Sequence, residues 1–82
     1  MGNRDQPAPI ERAIEAASQL KAGTWEAVEA LAWLAVEAGG TPASAALHQK
    51  ARDVAAGLKT GNWQSVRALA MLARADRKLG SL

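Results

Sequence analysis

Apolar residues recur along this chain at helical spacing, in four blocks. Ile10, Ile14, Ala17 and Leu20 fall on one face of a first helix, and Leu47, Ala51, Val54 and Leu58 on one face of a third. The two other blocks are apolar over a wider arc: Val28, Leu31, Ala32, Leu34 and Ala35, then Val66, Leu69, Ala70, Leu72 and Ala73. This spacing predicts helices over 9–22, 25–38, 42–59 and 63–79, with the second and fourth as the central pair and the first and third flanking them. The punctuation agrees. Gly23 and Gly61 suit the left-handed residue that ends a helix, Thr24 and Asn62 follow as N-caps, and Lys21 and Lys59 favour the dipole of a last turn. Gly39-Gly40-Thr41-Pro42 reads as a stop and a restart, with Thr41 as cap and Pro42 at the first helical position. The expected fold is all-α: one four-helix domain over 9–82 that follows a flexible segment, 1–8.

The second half of the chain repeats the first. Residues 13–35 laid over 51–73, at an offset of 38, are identical at twelve of 23 positions. Ala fills 20 of the 82 positions, so some Ala matches are compositional; the shared run L-K-x-G-x-W-x-x-V-x-A-L-A-x-L-A is not. Each copy reads as a helical hairpin, one over 9–40 and the next over 41–80. Trp25 and Trp63 occupy the same place after the Gly turn. That placement predicts a structural role, each indole packed back on the preceding helix, with a loss of about 3–5 kcal/mol on truncation to Ala.

The turn and second helix of each copy are similar to those of tetratricopeptide-type repeats. Gly23-x-Trp25-x-x-Val28-x-x-x-Ala32-x-x-Ala35 and Gly61-x-Trp63-x-x-Val66-x-x-x-Ala70-x-x-Ala73 carry the likeness. The first helices depart from it: Arg12 and Lys50 stand where that family favours Trp, and the period is 38 rather than about 34. The resemblance implies stacked helical hairpins that bind peptides or protein surfaces. Two such units are few for a stack, which favours self-association or a closed four-helix arrangement.

Charge changes the picture further. The net charge of +2 hides a split between the halves: residues 1–40 carry three basic side chains against six acidic, and residues 41–82 seven basic against two acidic. Glu26, Glu29, Trp33 and Glu37 share one face of the second helix; Arg67, Met71, Arg74 and Lys78 share the matching face of the fourth. Each stripe sets one large apolar residue in a row of charge, acidic around Trp33 and basic around Met71. Apolar anchors ringed by charge are the usual composition of a protein contact. Either Trp33 folds against the third helix or the other repeat as core and the charges form a solvated face, or the stripes are the candidate partner-binding residues, for a homodimer that pairs Trp33 with Met71 of a second copy or for another protein.

Few residues carry chemistry. The chain has no Cys and one His, which excludes disulfides and thiolate metal sites. Ser44 and His48 lie one turn apart, but no acid is placed to orient the imidazole, and His48 reads as a solvent-facing helix residue. No metal-ligand spacing and no Gly-rich phosphate loop occurs. The expectation is a non-catalytic protein with no cofactor and no small-molecule substrate. No apolar run is long enough to span a bilayer, and MGNRDQPAP is no secretory signal, so a cytoplasmic protein is expected. The alternative function is nucleic-acid binding: with a sequence pI of about 9.5, Arg67, Arg74, Arg77 and Lys78 would track phosphates along the fourth helix. Against it, that helix is apolar around most of its girth and the first half is acidic.

Overall fold

A computed structural model describes residues 8–80. Most of the expected flexible segment lies outside those residues; Ala8 lies within them. The described residues form four helices and no strand: α1 (Pro9–Ala17), α2 (Trp25–Glu37), α3 (Pro42–Ala55) and α4 (Trp63–Leu79). The all-α reading holds, and α2 and α4 match their expected spans closely.

The other two helices stop short. α1 ends five residues early because the Ser18 hydroxyl donates to the Glu15 carbonyl at 2.6 Å, and the backbone tightens into i→i+3 bonds from Gln19 and Leu20. α3 ends at Ala55, with Gly57 just beyond. Lys21 and Lys59 consequently lie in the connecting loops, where they serve no last-turn dipole. Thr24 accepts from the Ala27 amide at 3.3 Å, and the Asn62 side chain accepts from the Ser65 amide at 2.8 Å, as N-caps should. Thr41 instead turns its hydroxyl back to donate to the Ala38 carbonyl at 2.6 Å. Gly23 and Gly61 adopt φ of +85° and +106°, conformations that a side chain would strain, one residue before each cap.

The two hairpins stack by translation. Glu29 meets Arg67 across the α2/α4 junction, Trp33 and Met71 line one cleft a turn further on, and Val36, Glu37 and Arg74 complete it. Both helices therefore run the same way, with positions 38 apart side by side. The loops of the two hairpins meet at the same end of the stack: the Gly57 carbonyl lies 3.4 Å from where a Cβ on Gly23 would sit.

This arrangement makes α2 alone the central helix. One side of it holds Val28, Leu31, Ala32 and Ala35 buried at the junction with the second hairpin, where the Ser44 hydroxyl donates to the Ala35 carbonyl at 2.9 Å. α1 covers part of the opposite side, burying Ala17 and Ala27. The expectation that α4 shares this central place is corrected: among the described residues, α4 packs against α2 and α3 alone, and no helix covers its outer side. Ser65, Ala68 and Ala75 face inward, but Trp63, Val66, Leu69, Ala70 and Ala73 are exposed. Trp63, expected to be structural, is 63% exposed, whereas its counterpart Trp25 is half-buried against the core.

Candidate functional site

Two surfaces of hairpin one and its junction gather the residues singled out by sequence. The first is an apolar groove between α1 and α2 of about 520 Å³. One wall is Ala13 and Ala16 of α1 with Leu20 of the turn that follows; its α2 wall is Ala30, Trp33 and Leu34, with Glu26 and Glu29 along the rim. Small Ala side chains on α1 and its early termination leave the groove open. Trp33 is 52% exposed on its edge. The second surface is a cleft of about 150 Å³ over the α2/α4 junction, lined by Trp33, Val36, Glu37, Met71 and Arg74. Trp33 thus belongs to both.

The acidic and basic stripes adjoin within one chain. Arg67 donates to Glu29 Oε2 through Nε at 3.1 Å, and its terminal nitrogen lies 3.0 Å from the same oxygen. Its guanidinium also lies 5.9 Å from the centre of the Trp63 ring. Met71 is half-buried beside Trp33. Trp33 and Met71, which the sequence sets against each other between copies, line one cleft within the chain, because equivalent positions of a parallel stack are neighbours. Glu26, Glu37, Arg74 and Lys78 remain exposed. Glu29 keeps one acceptor unused: its Oε1 is buried and has no hydrogen-bond partner among the described residues.

A polar cluster that sequence reasoning missed ties α3 to α4. His48 is buried, not solvent-facing, and its Nε2 lies 2.5 Å from Asp76 Oδ1. Arg52 donates to the same oxygen at 2.9 Å. Burial pushes the Asp76 carboxyl up, but the bonds and charges of His48 and Arg52 outweigh it and hold the group below the usual carboxylate range. The acid that seemed absent near His48 comes from 28 residues away, a separation local spacing does not reveal. The Ser44 hydroxyl donates elsewhere, to Ala35, so Ser44, His48 and Asp76 do not line up as nucleophile, base and orienting acid. The cluster reads as a structural clamp within hairpin two.

Among the described residues, no group of three or more His, Asp or Glu is placed to hold a metal ion, and no helix is long and apolar enough to cross a membrane. Compared with known proteins, the chain matches no family model, no curated sequence and no solved structure.

Proposed function

We propose that this chain is a small, non-catalytic protein-binding module and that the α1/α2 groove is its contact surface. The observation that carries the reading is Trp33, a half-exposed indole on the wall of an apolar groove rimmed by Glu26 and Glu29. Large aromatic anchors beside an apolar trough are where binding energy concentrates. The groove is open along its length and bounded by helices, which suits an amphipathic helix laid into it. The acidic rim selects basic flanks on that helix. The likeness to tetratricopeptide-type repeats points the same way, since translational stacking of hairpins is the arrangement such repeats use to present binding faces.

Fluorescence anisotropy of a dye-labelled peptide tests the reading. A designed amphipathic helix of Leu, Ala and Lys, so labelled, is expected to rise in anisotropy and saturate as the protein is titrated in. Trp33→Ala should weaken its binding at least tenfold, and a Leu/Ala/Glu helix should bind more weakly still. Equal binding by wild type and Trp33→Ala would remove the groove from the account. Binding of duplex DNA in place of the helix, weakened by Arg74→Ala and falling steeply with salt, would favour the nucleic-acid alternative.

A further inference from the structure

The two ends of the stack are the two halves of its own internal junction. At that junction α2 presents Val28, Leu31, Ala32 and Ala35, and hairpin two covers them from the side that buries Ala51, Val54, Ala68 and Ala75. The equivalents of the first set, 38 residues on, are Val66, Leu69, Ala70 and Ala73, exposed on α4. Of the equivalents of the second set, Ala13, Ala16 and Ala30 line the open groove of hairpin one, as do Trp33 and Leu34, the equivalents of Met71 and Leu72; the fourth, Glu37 in place of Ala75, is exposed outside it. Among the described residues, each face lacks the partner that its copy has at the junction.

We propose that the protein binds copies of itself head to tail, the bare α4 stripe of one copy filling the α1/α2 groove of the next. The proposal rests on the reading of the groove as a binding surface and names its occupant. Three features favour a second copy over another partner. The internal junction is a direct example of the same two faces packed together. The charges are complementary, with an acidic groove end and a basic α4 end. The key ion pair also repeats: by the same superposition, Arg67 of one copy falls beside Glu29 of the next. A ridge of alternating Glu29 and Arg67 would then run along the assembly. Because the contact is heterologous, it does not close on itself at two copies but continues into an open chain.

Sedimentation equilibrium with complementary variants tests this. Trp33→Asp spoils the groove and keeps the stripe; Ala13→Asp does the same from the α1 wall, far from α4; Val66→Asp spoils the stripe and keeps the groove. All three positions are exposed, and circular dichroism confirms that each variant is folded. The wild-type mass should climb with concentration past twice 8.6 kDa, while each variant alone stays near 8.6 kDa. An equimolar mixture of a groove variant with Val66→Asp should form a heterodimer and stop there, since only one intact end of each kind remains. A wild type that is monomeric at every concentration, a wild-type plateau at the dimer, or variants that do not associate when mixed would each overturn the proposal. If the wild type stays monomeric yet binds the Leu/Ala/Lys helix through Trp33, self-association falls and the groove reading stands; if it does neither, both fall.

Discussion

Val28 exposes none of its surface, and Val66, at the same register of the second copy, exposes 68%. Identical residues therefore carry different energies. A charge at position 28 would be buried without a partner, so Val28→Asp should cost at least about 3 kcal/mol and unfold much of the population. Val66→Asp should move the urea midpoint by no more than about 0.5 kcal/mol equivalent. The tryptophans split in the same sense: Trp25→Ala should cost about 2–3 kcal/mol and Trp63→Ala under about 1, readable in the same melts. Asp76 is the polar counterpart. Its carboxyl is held below the ordinary value in the folded chain, so the stability it contributes is complete above the unfolded value and disappears as pH falls through the folded one. Acid melts should show this loss below about pH 4, and Asp76→Asn should flatten it. Asp76→Ala leaves the buried His48 without its acceptor, at a cost of about 2–4 kcal/mol.

At the scale of the element, capping and packing account for what holds and what frays. Asn62→Ala removes the acceptor for the Ser65 amide and should cost about 1 kcal/mol in thermal or urea unfolding. α1 buries only Ala17 of its nine residues, so its amides should exchange fastest among the four helices and those of α2 slowest. The starts of α2, α3 and α4 were legible in the sequence, because Thr24, Pro42 and Asn62 mark them by local chemistry. The ends of α1 and α3 were not. Apolar spacing carries through Leu20 and Leu58, yet a side-chain hydroxyl at Ser18 and a glycine at 57 break the backbone ladder first. His48 shows the same limit: its partner acid lies on another helix, and no local pattern announces it.

For the whole molecule, the duplication is what sequence conveyed best, and it fixed four helices in two hairpins. It could not say how the hairpins face one another. A closed bundle would bury both wide apolar arcs, those of α2 and of α4. A translational stack buries one and leaves the other bare, with a matching groove at the far end. The acidic and basic stripes, read from sequence as separate docking rows, come together over the α2/α4 junction for the same reason. This geometry rests on two valines at equivalent positions facing different surroundings. The most direct check is solvent paramagnetic relaxation of the valine methyl groups, measured by NMR on the monomeric Ala13→Asp variant with a soluble gadolinium chelate. The stack predicts that the Val66 methyls broaden strongly while those of Val28 are untouched. Equal protection of Val28 and Val66 would mean that both arcs are covered in one chain, and would contradict the stack and the complementary ends derived from it.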